Sequence, residues 1–350
     1  MSEPAESWFQ RNAATTTIQN AFETFLQEKI NISGSIRTTA SAQHHHLRDF
    51  ISTEYDRDNS FPTTLSILDR DFLGGSFARH TKVWPLDDID IYIPLDGHGL
   101  IFYINGVAQP IIVVSDNLIT ANPLLKERWI EDGLISSRKL ITGFARILDR
   151  HYPDATKVKR NGQAVTVTMI SSGIGFDVVP CFSMEPYNGE APFYLIPSGS
   201  NGWIRTNPRK DNEIADQLNK NNNGTFRKAV KLIKYWNQEK SKTSFNSYYI
   251  ELAIAKEFIR RNALYDIMSN LSYAIAVGFY AFNQAVKTGN LESFVPFALP
   301  VEPGPTSVAS PRLLDLNATR AKEAWDWEKE DNQQQAMTKW KSIFGPDFGV

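Results

Sequence analysis

The sequence predicts an α/β fold of the α+β kind, in which a lobe built on a mixed sheet is followed by a lobe of helices. Strand-like runs rich in β-branched residues alternate with helical patterns up to about residue 208. From residue 209 onward the periodicity is helical. With 350 residues, of which 42% are hydrophobic, the chain can bury two cores. We therefore expect one lobe at residues 1–208 and a second at residues 209–350.

The elements follow in order along the chain. Apolar residues at helical spacing predict two N-terminal helices, one through Phe22 and one through Leu47. Strands are predicted at IDIYIPL, IFYI, PIIVVS, VTVTMI and FDVVPCF, with a helix at about residues 134–151 between them. In the second lobe the apolar run LSYAIAVGFYAF is too short to span a bilayer. It predicts a buried helix and no membrane association.

Three aspartates are the most informative feature. Asp88 and Asp90 stand at i and i+2 in DDIDIYI, so on a strand their side chains project to one face, and Asp177 in GFDVVP comes from another strand. Three such carboxylates form a cage for two Mg²⁺ ions, with Mn²⁺ as a substitute, as in-line phosphoryl displacement requires. Asp87 is expected on the opposite face, outside the cage. The pattern predicts a nucleotidyltransferase.

The dipeptide Gly75-Ser76 precedes the aspartate pair. A glycine lets phosphates approach the backbone closely, and a serine hydroxyl with nearby N–H groups donates hydrogen bonds to them. We expect Gly75 and Ser76 to bind a nucleotide triphosphate.

Composition excludes several classes of protein. The single cysteine, Cys181, allows no intramolecular disulfide and no zinc ribbon, and it is predicted to be a small buried residue. Consecutive residues such as His44 to His46 cannot converge on one metal ion from a helix. No basic segment followed by an apolar core opens the sequence, so we predict a cytoplasmic protein. A net charge of −2 disfavours a requirement for long nucleic acid.

Motifs along nearly the whole chain resemble those of the bacterial cGAS/DncV-like nucleotidyltransferases, the CD-NTases of CBASS anti-phage defence. They are GGSFARHT, DDIDIYI, GFDVVP, GWIRTNP, KLIKYWN, SFNSYYIELA and WKSIFGPDFG. The resemblance implies a polymerase-beta-like catalytic lobe, a helical lobe and an active site in the cleft between them. It also implies that ATP and/or GTP are joined into a cyclic di- or trinucleotide second messenger. A ribose hydroxyl would attack an α-phosphate and release pyrophosphate.

The resemblance assigns roles to individual residues. Asp88 and Asp90 would bridge both metal ions, and Asp177 would hold the ion that activates the hydroxyl. The remaining assignments concern the nucleotide, with Gly75, Ser76, Lys234 and Ser247 on the triphosphate, Tyr248 stacked on the donor base, and Arg205 and Thr206 in base selection.

Several alternatives stay open at this point. Arg205 and Thr206 fit an ordered surface loop equally well, and Arg79 is either a phosphate ligand or an ion-pair partner. Lys228, Lys231 and Lys234 fit a solvated helix face. The resemblance also implies an accessory ubiquitin-transfer-like protein that grasps the C-terminus, and the glycines and proline of the last six residues predict that this tail frays into solvent.

Two other functions compete with a cyclic nucleotide synthase. One is a template-independent nucleotidyltransferase that acts on RNA, a protein or a small molecule. The other is a nucleotide-binding pseudoenzyme, which the presence of all three carboxylates argues against because like charges held together are costly.

Overall fold

The computed structural model describes residues 18–57, 71–95, 100–104, 110–114, 129–151, 155–184, 192–296, 298–304 and 309–350. Within these ranges the strands are β1 Phe72–Leu73, β2 Ile89–Leu95, β3 Leu100–Ile104, β4 Pro110–Val114, β5 Ile130–Glu131, β6 Leu134–Ile135, β7 Ala155–Asn161, β8 Ala164–Met169, β9 Gly175–Met184, β10 Phe193–Pro197 and β11 Trp203–Thr206.

Ten helices lie in the described ranges. The first, α1, covers residues 18–25 and continues into a π-helical turn, Leu26–Ile30. The others are α2 Gly34–Arg57, α3 Gly75–Ala78, α4 Ser137–His151, α5 Pro208–Asn221, α6 Thr225–Tyr235 with a π-helical turn Trp236–Lys240, α7 Ser247–Asn262, α8 Leu271–Thr288, α9 Ser310–Lys329 and α10 Gln333–Phe344.

The larger sheet is organised around β9. This strand runs parallel to β2 on one side, and antiparallel to β8 and then β10 on the other. The described strands of this sheet follow the order β1-β2-β9-β10-β11, with β7 and β8 joined through β9, while β3, β4, β6 and β5 form a second sheet. A strand with neighbours on both edges and both faces is apolar along most of its length, as GFDVVPCFSM is. The predicted mixed sheet is confirmed.

Each lobe has its own hydrophobic core. In the sheet lobe the stripe Leu140, Phe144, Ile147 and Leu148 of α4 is buried in the core that also contains apolar residues of β2, β8 and β9. In the helical lobe the core is formed by α5 to α10, and the predicted buried helix α8 contributes Phe279 and Phe282 to it. Cys181 is buried, as predicted.

The first helix packs on the helical lobe, although it lies before the sheet in the sequence. Phe22 and Phe25 belong to the helical-lobe core. The Phe22 ring centroid is 5.2 Å from that of Trp340, and Phe25 is 5.3 Å from Tyr235. The lobe boundary at residues 208 and 209 stays a prediction, and α1 crosses it in space.

The prediction that the C-terminal tail frays into solvent is wrong. Phe348 is 0% exposed, and its ring centroid lies 4.7 Å from Phe22 and 5.5 Å from Phe25. Gly345, with φ +96°, turns the chain after α10. Phe348 therefore returns to an aromatic cluster that includes Phe22 and Phe25. Val350 is 91% exposed. The tail therefore joins α1 to the helical lobe.

No helix within the described ranges has both the length and the apolar character needed to cross a membrane.

We expect Phe348→Ala to lower the free energy of unfolding by about 3–5 kcal/mol, because removing a buried ring leaves a cavity among other rings. Urea unfolding followed by circular dichroism measures the change. Deletion of Val350 alone is the control, and it should change stability by less than about 0.5 kcal/mol because this side chain touches mainly water. Equal stabilities of Phe348→Ala and the wild type would contradict this packing.

Candidate active site

The parallel register of β2 and β9 brings two of the predicted carboxylates together. Asp90 on β2 is the direct register partner of Asp177 on β9. Because Ile89, Ile91 and Ile93 point into the sheet-lobe core, Asp90 between them projects from the other face. Partners in adjacent strands have their side chains on the same face, so both carboxylates lie side by side.

Asp88 lies one residue before β2 begins, at the entrance to the strand rather than within it. Its carboxylate is ion-paired with the ammonium of Lys82, which also contacts Asp87. Asp87 was expected to lie apart from Asp88, yet the two share this lysine. Lys82 is therefore a cation of the acidic cluster that the sequence motifs did not identify.

Burial and mutual repulsion make the acidic cluster electrostatically unfavourable. Burial raises the pKa of Asp90 to about 6, and the charges of Asp88 and Asp177 add to the shift. The pKa of Asp177 is raised chiefly by burial, although its carboxylate accepts a hydrogen bond from the Thr166 hydroxyl. A further cation beside these carboxylates would relieve the repulsion.

The donor set fits Mg²⁺ or Mn²⁺. Carboxylate oxygens are the ligands these ions prefer, and burial together with the charges of Asp88 and Asp177 raises the pKa of Asp90 although Arg79 and Lys82 oppose the shift. In the described part of the chain no three His, Cys, Asp or Glu side chains are already arranged as a metal site. Asp88 is turned toward Lys82, so metal binding by all three aspartates requires a change at Asp88.

The glycines of the GGS turn are required by close packing on β2. A Cβ on Gly75 would lie 1.6 Å from a carboxylate oxygen of Asp90, and one on Gly74 would lie 2.3 Å from the Tyr92 ring. Gly75 also has φ +63°, a conformation that favours glycine. The turn thus places Gly75 directly beside Asp90. Sequence reasoning had given Gly75 a role toward phosphate only.

A buried ion-pair network joins this turn to the helical lobe. Glu251 on α7 accepts hydrogen bonds from Arg79 Nε and Lys234 Nζ, each at 2.8 Å. The Thr81 hydroxyl donates to the same carboxylate at 2.8 Å. Burial alone would raise the pKa of Glu251, but Arg79 and Lys234 lower it to about 2. The structure therefore shows Arg79 as an ion-pair partner.

Lys234 lies inside this network. The residue is 2% exposed, and its ammonium also donates to the Thr81 carbonyl oxygen at 3.2 Å. Burial lowers its pKa. A phosphate contact by Lys234 stays a prediction, and it requires the ammonium to share its protons with Glu251. The alternative of a solvated lysine face is wrong for Lys234, and Lys231 is buried too, with its ammonium 2.8 Å from Asn31 Oδ1.

Tyr248 is fixed on two sides. Its hydroxyl donates to Asp211 Oδ2 at 3.0 Å, and the Arg79 guanidinium lies 5.5 Å from its ring centroid. Ser247 and Tyr248 begin α7, where the Asn246 side chain accepts a hydrogen bond from the Tyr248 N–H at 2.9 Å. Ser247 and Glu251 stand one helical turn apart, so the spacing in SYYIE could have indicated that Glu251 faces the same side.

Arg205 and Thr206 lie on strand β11, so the surface-loop alternative is wrong. The Arg205 guanidinium is 4.0 Å from the centroid of the buried Phe193 ring, and β11 is separated from β9 by β10. Thr206 ends β11 just before α5, whose Pro208 packs beside Gly74. Thr206 is therefore two residues from a side chain that packs on the GGS turn, while Arg205 packs against the sheet.

No family model matches the chain. Two curated proteins are similar in sequence. A probable cyclic nucleotide synthase of Bacillus cereus (strain VD146) is 25% identical over 347 residues, covering 95% of this chain and 98% of the relative. A cyclic AMP-AMP-AMP synthase of Acinetobacter sp. is 28% identical over 228 residues, covering 64% of this chain and 53% of that protein.

Two solved structures of Escherichia coli MS115-1 CdnC share the fold. CdnC in complex with HORMA-deltaN superposes with a TM-score of 0.61 at 20% identity, covering 94% of this chain and 97% of CdnC. CdnC with ATP gives a TM-score of 0.59 at 21% identity, covering 94% and 98%. The predicted fold is confirmed along nearly the whole chain. Similarity in sequence to two cyclic nucleotide synthases and in fold to CdnC agrees with the resemblance to the bacterial cGAS-like nucleotidyltransferases that the motifs indicate.

Proposed function

We propose that the chain is a cyclic oligonucleotide synthase that joins ATP and/or GTP into a cyclic di- or trinucleotide second messenger for antiviral signalling. The observation that carries the proposal is the pairing of Asp90 with Asp177 across parallel strands, with the GGS turn packed against Asp90. Both curated homologues carry the name of a cyclic nucleotide synthase, which supports it.

Some residues of the proposed site bind metal ions, and others bind the nucleotide. Asp90, Asp177 and Asp88 would hold two Mg²⁺ ions, for which Mn²⁺ could substitute. When bound, such ions would supply a lower pKa for the attacking hydroxyl and positive charge for the phosphoryl oxygens. Gly75, which lies beside Asp90, and the adjacent Ser76 bind the triphosphate and so hold an α-phosphate near the carboxylates.

The helical lobe supplies the other contacts to the donor nucleotide. The base stacks on the Tyr248 ring, since every base has a face that stacks on an aromatic side chain. Ser247 and Lys234 contact the triphosphate from this side. Thr206, at the end of β11, is the better placed of the two predicted base-selecting residues because Arg205 packs on Phe193.

An accessory protein is the proposed partner, and the protein acts in the cytoplasm without a requirement for long nucleic acid. The structural neighbour CdnC was solved with a HORMA protein, which supports a partner of this general kind. Conjugation of the C-terminus by a ubiquitin-transfer-like protein has less support, because an enzyme that grasps the tail must first withdraw Phe348 from its aromatic cluster.

Incubation with all four NTPs and Mg²⁺, followed by mass spectrometry of the products, tests the proposal. A product that resists phosphatase and forms without an added acceptor supports a cyclic oligonucleotide synthase. Product only on addition of RNA, protein or a small molecule favours a template-independent transferase instead. Nucleotide binding without any product favours a pseudoenzyme.

We expect Asp90→Asn to fold normally and to lose product formation by several orders of magnitude, because the carboxylate contributes to metal binding in the transition state. Product quantified by chromatography measures the loss. Asp315→Asn is the matched control, since Asp315 lies on α9 and pairs with Lys287. Near-wild-type synthesis by Asp90→Asn would contradict the site assignment.

The raised pKa of Asp90 predicts that ionisation of this carboxyl lowers the folding stability of the metal-free protein. Native Asp90 keeps its proton up to about pH 6, whereas the unfolded chain releases it near its ordinary pKa of 3.8, so this group lowers stability as pH rises between these values. Asparagine cannot ionise. In EDTA we therefore expect the Tm of Asp90→Asn, relative to wild type, to rise between pH 4 and pH 7, as calorimetry would measure. A Tm difference between Asp90→Asn and wild type that stays constant with pH would show that ionisation of Asp90 does not lower stability.

We expect Tyr248→Ala to raise the KM for NTP by the equivalent of about 1–3 kcal/mol, because a base loses its stacking surface. Tyr248→Phe keeps the ring and loses only the hydrogen bond to Asp211, so its KM should rise much less. Steady-state kinetics with both variants distinguish the two contributions. Equal KM values for Tyr248→Ala and wild type would place the ring outside the nucleotide site.

A further inference from the structure

A single carboxylate, that of Glu251, connects three parts of the candidate active site. Its Oε2 accepts hydrogen bonds from Arg79 Nε and the Thr81 hydroxyl, and its Oε1 accepts one from Lys234 Nζ, all at 2.8 Å. Glu251 is 5% exposed, so water does not replace these donors easily. A buried carboxylate with this many donors is held in one orientation.

The three donors come from both sides of the cleft. Arg79 and Thr81 belong to the segment that leaves the GGS turn toward the aspartates, and Thr81 N–H donates to Ser76 O at 2.9 Å. Lys234 belongs to α6 of the helical lobe. Glu251 itself lies on α7, one helical turn after Ser247. Glu251 is therefore the side chain that links the turn to both α6 and α7, and the Thr81 and Arg79 carbonyl oxygens accept further hydrogen bonds from Lys234 and Arg227 of α6.

The charges make this connection selective for a carboxylate. Arg79 and Lys234 are both buried beside Glu251, and burial works against the charged form of Lys234. A neutral glutamine has nearly the same shape, but it removes the carboxylate that pairs directly with both buried cations. Removing one partner of a buried ion pair destabilises a protein for that reason.

We propose that Glu251 is a positioning residue for nucleotide binding. It holds Lys234 and the segment after the GGS turn in one relative position across the cleft. The inference rests on the proposed function. Glu251 does not contact the substrate; it acts through Lys234, Arg79 and Thr81. Its loss weakens nucleotide binding more than it slows turnover of bound nucleotide.

The test compares Glu251→Gln with Glu257→Gln in the full chain. Glu257 lies on the same helix and also pairs with two cations, Arg260 and Arg261, but its partners belong to the same helix and the loss touches neither the GGS turn nor α6. Calorimetric titration with the non-reactive α,β-methylene analogues of ATP and GTP, with Mg²⁺, measures affinity. Steady-state kinetics separate KM from kcat, and thermal unfolding of each variant shows whether it is folded.

We expect Glu251→Gln to weaken analogue binding by about tenfold and to raise KM by a similar factor, with a smaller change in kcat. Glu257→Gln should match wild type within about twofold. If Glu251→Gln binds as tightly as wild type, or more tightly, this inference is overturned, since tighter binding would mean that Glu251 restrains Lys234. If wild type binds neither analogue and forms no product, the proposed function fails, and the inference fails with it.

Thr81→Val serves as a milder second variant if Glu251→Gln does not fold. It removes one donor to Glu251 and leaves all charges in place. We expect it to weaken analogue binding by about threefold with Tm close to wild type, because the turn is then less firmly held. Unchanged binding by folded Thr81→Val would also overturn the positioning role.

Discussion

The parallel pairing of β2 with β9 is the constraint on which the site depends. The parallel register places Asp90 opposite Asp177. The apolar residues that alternate with each aspartate along its strand face the core, and they fix which face the two carboxylates occupy. A shift of one residue would turn Asp90 into the core, so the hydrophobic pattern that stabilises the sheet also holds the acidic pair. The GGS turn then packs against Asp90, and only glycine allows that approach. The proximity of the residues proposed to bind phosphate and those proposed to bind metal is therefore a consequence of sheet packing.

Between the lobes, the structure relies on buried charge rather than on a purely apolar contact. Arg79 and Lys234 lower the pKa of Glu251 to about 2 although burial opposes this, so the carboxylate stays ionised throughout the physiological pH range. Within the helical lobe, the hydrogen bond between Tyr248 and Asp211 fixes the ring that lies next to Arg79. Polar contacts of this kind are directional, and they define one relative position of the elements more sharply than apolar packing does. Such precision suits a cleft that aligns a hydroxyl with a phosphate.

The acidic cluster and the aromatic cluster show two different limits of sequence reasoning. Lys82 lies in the motif GGSFARHTK, but nothing in its spacing indicates that it contacts both Asp87 and Asp88, because a long flexible side chain can reach many positions. The final residues GPDFGV have the composition of a mobile tail, and Phe348 is nevertheless buried. Its partners Phe22 and Phe25 lie at the other end of the chain, and a contact at such a separation leaves no local pattern to detect.

The sequence alone determined the fold class, the strands that carry Asp90 and Asp177, the buried stripe of α4 and the family resemblance, because these depend on periodicity and on motifs that are local in the chain. Tertiary structure decided how Lys234, Arg79, Tyr248 and the tail are used. Each of these side chains has its partner in another element: Glu251 for Lys234 and Arg79, Asp211 for Tyr248, and Phe22 for Phe348. Local pattern specifies which residues face inward, but only the packing of whole elements determines which of them meet.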